Sequence, residues 1–380
     1  MKLFRKIVFW LHLTAGVLAG IFIFVMCVTG ALLSFQSNIL EIAERKMRVV
    51  EVPTENQNRL PLQKLVAEVL AEKPNAKPST ITLRNDRSAA ATVALGREEQ
   101  IFVNPYTGTI TGEGAKRWRG FFHVVEDLHR WLALSGDRRS IGKSLNDAAN
   151  SLFLFLAISG VYIWFPRRLS WKHLRAAIVF RRKVKGKARD FNWHTVIGFW
   201  SSLVLIVLTL TGVVISYQWA GNLVYTLTGN EPPPRQQQAS PPVEQPFIIP
   251  ENLDEIWTKA ETHTTYKTIS LRLPIAKDAA IFTIEEGVYL NMFARSTLTI
   301  DAKTAEVAKW EPYGEQNSGR QLRSWIRFTH TGETGGIAGK LIGFLACIGG
   351  AFLVYTGFSL ALHRFARWRA KPKSTADERG

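Results

Sequence analysis

Four stretches of the chain carry almost no charge: residues 7–35, 148–165, 196–219 and 337–362. A helix crosses the hydrocarbon core of a bilayer with about 20 apolar residues. The first, third and fourth stretches reach that length, and the second is near the lower limit and can be extended by 146–150 at its mouth. The pattern therefore predicts four transmembrane helices over 1–36, 146–166, 192–220 and 336–363. The first begins Met-Lys-Leu-Phe-Arg-Lys, like a signal peptide, but its apolar run is too long for one and no small-x-small cleavage site follows. It reads as an uncleaved helix.

Between the spans the pattern changes to short elements. In 37–145, apolar residues at helical spacing mark 60–72, and alternating stretches at 80–83, 91–95, 100–104 and 109–112 read as strands. An aromatic helix over 117–131 leads into the second span. In 221–335, a Pro/Gln-rich linker over 231–246 precedes a helix at 252–262 and strands at 268–273, 280–285, 287–293 and 297–301. Each segment predicts one α+β domain. The loop 167–191 and the tail 364–380 complete the chain.

The first and third spans match without a gap. When His12 is laid on His194, Gly16 falls on Gly198, Thr29-Gly30 on Thr211-Gly212, Ser34 on Ser216 and Gln36 on Gln218. The second and fourth match too. Gly142-Lys143 and Gly339-Lys340 are each followed by a hydroxyl-glycine pair, Ser159-Gly160 and Thr356-Gly357. The fold expected is an α-helical membrane protein of two tandem parallel repeats, each a helix, an outside domain and a returning helix.

Charge sets the orientation. The net charge is +17, and all but one unit of it lies in 1–6, 167–190 and 364–380. Four spans put those segments on one side, so the positive-inside rule places both termini and the 167–191 loop in the cytoplasm. The clustering argues against a nucleic-acid partner and for anionic membrane lipid. The two cysteines, Cys27 and Cys347, both fall inside apolar runs, which excludes a disulfide framework and a thiolate metal site.

Titratable groups in a span are functional candidates. His12 and His194 fall at the cytoplasmic ends of the first and third helices, and His129 and His330 at the outer ends of the second and fourth. A histidine at a helix end is often a simple interfacial anchor. A matched pair at equal depth, found twice, instead suits six-coordinate haem, whose iron takes an axial imidazole on each face. Gly16 and Gly198, one turn along from His12 and His194, would leave room for a flat macrocycle. Cys-x-x-Cys-His is absent, so any haem is non-covalent haem b, and two are expected. Zinc is disfavoured by the lack of cysteine or carboxylate partners at ligand spacing. His123 and His363 stay open as alternative ligands. The hydroxyl-glycine pairs read either as close-packing motifs with the hydroxyl bonded to backbone or as walls of a cofactor site.

The His-x3-Gly and Thr-Gly helices, the turn Asn104-Pro105-Tyr106-Thr107-Gly108, and the outer motifs Leu128-His129-Arg130 and His330-Thr331-Gly332 together resemble the PepSY-associated transmembrane family, over nearly the whole chain. The resemblance implies a bacterial inner-membrane protein with two periplasmic PepSY-like domains. The second is degenerate, with Asp301-Ala302-Lys303-Thr304-Ala305 where the turn would be. Some members are di-haem reductases of ferric siderophores. By position, His12 and His194 then become the inner haem ligands and His129 and His330 the outer pair. Trp118, Phe121, Phe122, Trp131 and Trp325, with Arg117, Arg119, Arg323 and Arg327, either hold the ferric siderophore or simply anchor the interface. No dinucleotide-binding fingerprint is present, so the electron donor would be a separate reductase, a quinol or a small reductant. Two other readings remain: a haem-bearing subunit serving another periplasmic acceptor, and a non-redox regulator whose PepSY-like domains bind a partner.

Overall fold

The computed structural model describes residues 2–53, 57–96, 99–165, 171–234, 249–275, 279–288, 291 and 293–369. The chain divides into two units: a helix bundle drawn from the first 35 residues, Val124–Leu223 and the stretch from Ile326 on, and a sheet unit formed by Gln36–His123 and Val224–Trp325.

In the bundle, four helices are long and apolar enough to cross a membrane. They are α1 (Lys2–Leu33), α5 (Arg139–Trp164), α7 (Gly186–Ser216) and α11 (Gly336–Arg369). Each packs on two neighbours in a ring of α1, α5, α7 and α11. The ring closes on Ala19, Ile23, Met26, Cys27, Ala149, Phe153, Leu205 and Ala346. Leu18, Ile21, Leu203 and Leu345 stay exposed on its outside, the surface that lipid covers in a membrane helix. The ends of α4 (Lys116–Trp131) and α10 (Ser318–His330) bring the outer histidines to the bundle. A short basic helix, α6 (Trp171–Ile178), lies in the 167–191 loop. Helix α11 runs six residues past the expected end of the last span, while residues 370–380 and the Pro166–Arg168 stop signal lie outside the described residues.

The sheet unit corrects the expectation of two separate domains. Strands β1 (Thr80–Arg84), β2 (Ala91–Leu95), β3 (Glu99–Val103) and β4 (Ile110–Gly112) come from the first inter-span segment. Strands β5 (Thr268–Arg272), β6 (Ala279–Glu285), β7 (Ser296–Asp301) and β8 (Val307–Glu311) come from the second. All eight form one antiparallel sheet, ordered β4-β3-β2-β1-β5-β6-β7-β8. The seam pairs TITLR with TISLR end over end: Thr80 faces Arg272, Thr82 faces Ser270 and Arg84 faces Thr268. Thr82 Oγ1 and Ser270 Oγ meet at 2.8 Å at its centre. Separate domains would each leave a strand edge with unpaired backbone groups, and the seam satisfies both.

One face of this sheet carries the core. Ile81, Leu83, Val93, Ile269, Leu271, Phe282, Ile284, Leu298 and Ile300 alternate inward. They meet Leu65, Val66 and Val69 of α3 (Leu62–Glu72) and Ile256, Trp257 and Ala260 of α9 (Leu253–His263). On the other face, Met47, Val50 and Tyr106 cover Phe102. Helix α2 (Gln36–Arg48) presents Glu44, which is fully buried. Arg119 holds it through two contacts at 2.6 and 2.8 Å, and the Ala115 amide donates to it at 3.2 Å.

Two turns expected to differ are alike. Asn104 Oδ1 accepts the Tyr106 and Thr107 amides, and Asp301 Oδ1 accepts those of Lys303 and Thr304. Gly108 closes one turn and Ala305 the other, both at positive φ. The strand expected at 287–293 is absent among the described residues. Asn291 there is buried and donates to the Tyr313 hydroxyl at 2.8 Å. Most of the 231–246 linker lies outside the described residues.

Candidate functional site

Each of the four candidate histidines meets one of the four hydroxyl-glycine pairs. His12 Nδ1 lies 2.8 Å from Ser159 Oγ, joining α1 to α5. His194 Nδ1 lies 2.9 Å from Thr356 Oγ1, joining α7 to α11. His129 Nδ1 lies 2.8 Å from Thr29 Oγ1, and His330 Nδ1 lies 3.0 Å from Thr211 Oγ1. The glycine that follows the hydroxyl lies against the ring in three of the four. A Cβ on Gly30, Gly160 or Gly357 would come within 3.4–3.6 Å of the Cε1 of His129, His12 or His194. At Gly212 it would meet Asn150 instead.

The hydrogen-bond network assigns the tautomer. Thr29, Thr211 and Thr356 each donate their one hydroxyl proton to the carbonyl four residues back, at 2.6, 2.7 and 2.8 Å. Their oxygens can then only accept from the histidine. His330 Nδ1 also faces the Leu208 carbonyl at 3.0 Å, which has no proton to give. At His129, His330 and His194, Nδ1 therefore carries the hydrogen and Nε2 keeps its lone pair, the form in which a neutral imidazole binds a metal. No described group is bonded to any of the four Nε2 atoms. All four rings are half-buried.

The histidines also fall into pairs. His12 lies within electrostatic reach of His194, and His330 within reach of His129. Among the described residues, no three of His, Cys, Asp and Glu gather into a metal cage. The donor set is thus two neutral imidazoles at a time, which fits the two axial positions of a haem and leaves a zinc ion short of ligands.

The ends of the returning helices are held the same way in both halves. A Cβ on Gly142 would run into the Trp131 carbonyl, and one on Gly339 into the Gly332 carbonyl. Each glycine lets α5 or α11 start directly beneath the helix that carries an outer histidine. Lys143 then reaches Asp147 at 2.5 Å and the Ser216 carbonyl at 2.9 Å, and Asn146 donates to the His129 carbonyl at 3.0 Å. Gly16 and Gly198 behave differently. A Cβ there would meet only Leu156 at 3.8 Å or Leu353 at 3.5 Å, so no protein neighbour requires a glycine.

The chain matches, over residues 9–364, the family described as the PepSY-associated TM region. It belongs to that family. No curated protein matches the chain. In this PepSY-associated membrane protein the other candidates separate by exposure. His363 is exposed and its Nδ1 faces the Ser359 carbonyl of its own helix at 2.8 Å. It has no hydroxyl-glycine partner and stands apart from the four. Trp118, Phe121 and Trp325 are exposed, whereas Phe122 and Trp131 are buried. Arg119 is committed to Glu44 and Gln100, which takes it out of the set that could hold an acceptor. Arg117 and Arg327 remain exposed, Arg323 and His123 partly so. A cleft of about 450 Å³, which the sequence did not reveal, is lined by Trp193, Ile197 and Phe352 together with Arg181, Arg182 and Arg189.

Proposed function

We propose that the chain carries electrons across the bacterial inner membrane through two haems b and reduces ferric siderophore iron on the periplasmic side. His12 and His194 hold the inner haem, and His129 and His330 the outer one. Bound haem supplies one-electron transfer. The observation that carries the reading is the set of four imidazoles with Nδ1 engaged by a hydroxyl and each ring within electrostatic reach of one other. The chain's own residues fix the tautomers of His129, His194 and His330, hold the pairs in a bundle with an apolar core, and place at Gly16 and Gly198 glycines that no protein neighbour requires. Ferrous iron binds hard-oxygen siderophores far more weakly than ferric iron, so reduction releases it and no acid or base residue is needed.

The reading takes the chain as two tandem parallel units with both termini in the cytoplasm and the sheet unit in the periplasm. The matched motifs and the basic segments support it. A separate reductase, a quinol or a small reductant supplies the electrons, and anionic lipid meets the basic loop. The test is a reduced-minus-oxidised spectrum of purified protein with a pyridine haemochrome count. Two haems b per chain are expected. His12→Ala or His194→Ala should remove one, and His129→Ala or His330→Ala the other, with loss of ferric-siderophore reduction in each case. Protein free of haem, from cells supplied with it, would overturn the proposal.

A further inference from the structure

We infer that Thr29, Ser159, Thr211 and Thr356 are positioning residues that set the donor strength of the histidines, and that Ser159 makes the inner pair unequal to the outer. The assignment of tautomer rests on hydrogen bonds alone. Only its consequence for a haem depends on the function proposed above.

A hydroxyl that already donates a proton becomes a better acceptor. The three threonines donate at 2.6–2.8 Å to the carbonyl four residues back. The β-branched side chain favours this, since it has few rotamers in a helix and one of them makes that bond. Ser159 lacks the methyl group. Its described donation is to the Leu156 carbonyl three residues back, at 3.3 Å. Its oxygen is therefore the weakest acceptor of the four, although it sits at the same 2.8 Å from its histidine.

An imidazole that donates Nδ1–H to a strong acceptor gains electron density at Nε2 and becomes a more basic ligand, as the outer partners of metal-binding histidines do generally. A more basic axial ligand favours ferric over ferrous iron. The outer pair has two threonines and the inner pair one threonine and one serine. His12 is then the least basic of the four ligands. Both outer rings also reach a carbonyl three residues before their threonine, Met26 for His129 and Leu208 for His330; of the two, the Leu208 contact forms a full hydrogen bond, at 3.0 Å, so Thr29 governs its histidine more completely than Thr211 does.

The test compares Thr29→Val, Thr211→Val and Ser159→Thr with the parent protein. Valine keeps the shape of threonine and removes the acceptor, and Thr29→Ser serves as the hydroxyl-retaining control. In haem-free protein labelled with [15N]histidine, solid-state NMR should show a single Nδ1–H signal for His129. That signal should be lost or mixed in Thr29→Val, kept in Thr29→Ser, and little changed for His330 in Thr211→Val. In haem-loaded protein, the outer midpoint potential should rise in Thr29→Val and rise less in Thr211→Val. The inner midpoint should fall in Ser159→Thr. An unchanged His129 tautomer in haem-free Thr29→Val, or equal midpoints across the set, overturns the inference. Protein that takes up no haem overturns the electron-transfer reading, while the NMR result still decides this one.

Discussion

The bundle and the sheet unit each contain two stretches of similar sequence, and the likeness is kept at different kinds of position. In the bundle it survives at polar and glycine positions: His12 and His194, the four hydroxyl-glycine pairs, and Gly142 and Gly339. The apolar residues between them vary freely, because lipid accepts any apolar side chain. In the sheet the likeness lies in the apolar alternation itself, TITLR against TISLR, while polar positions drift, as at Asn104 and Asp301. A bundle in lipid is specified by its few polar contacts. A sheet in water is specified by which face is apolar.

Variants can break or sharpen this contrast. The largest effect is expected in the sheet unit at one of its rare buried charges. Glu44→Ala leaves the nearly buried Arg119 without its carboxylate and should cost about 3–5 kcal/mol. Limited proteolysis should show new cuts within 36–123 while cuts within the bundle are unchanged. Cuts spreading equally through both units would deny that they are separate.

The next effect tests the bundle's glycines. Gly142→Ala forces a methyl group into the Trp131 carbonyl and should cost about 1–3 kcal/mol, read as a lower midpoint of thermal unfolding in detergent. Gly16→Ala has room and should leave that midpoint unchanged. Should haem occupy the space at Gly16, the same variant lowers haem content per chain.

The smallest effect separates the two turns. The amides of Thr304 and Lys303 hold the Asp301 carboxyl below the ordinary aspartate range. Its contribution is present above the unfolded-state value and is lost as pH falls through the folded one. Asn104 in the matching turn cannot titrate. Asp301→Asn should therefore be slightly less stable than the parent near neutrality and lose less stability on acidification, measured by thermal melts from pH 7 down to pH 3. Identical acid profiles would show that the carboxylate's charge does not matter to the turn.

Most of the spans were legible because an apolar run of that length has few other uses. The helix ends were not: α5 starts at Arg139, before its apolar run, since Lys143 and Asp147 satisfy each other. Helix α2 escaped notice because its sequence, QSNILEIAERKMR, is mostly polar and its buried face rests on one glutamate. Strand β8 was missed because it is an edge strand, mostly half-buried or exposed, without alternation. The stretch 287–293 misled in the other direction: its described residues form no strand, and Asn291 among them is buried. The histidines and the hydroxyl-glycine pairs were all visible in the sequence, yet the hydroxyls read as packing aids or cofactor walls. Which hydroxyl meets which ring depends on the rotation of one helix against another, and that is settled by contacts between distant residues.

The seam between β1 and β5 has a consequence for how the chain is made. Ribosomes add roughly 5–20 residues per second, so β1 is complete some 10–40 s before β5 exists. During that interval TITLR is an open edge whose best partner is a strand of nearly its own sequence, and the nearest such strand belongs to another nascent chain on the same message. Spacing between ribosomes, or a holding factor at that edge, then decides whether a chain closes on itself or on its neighbour.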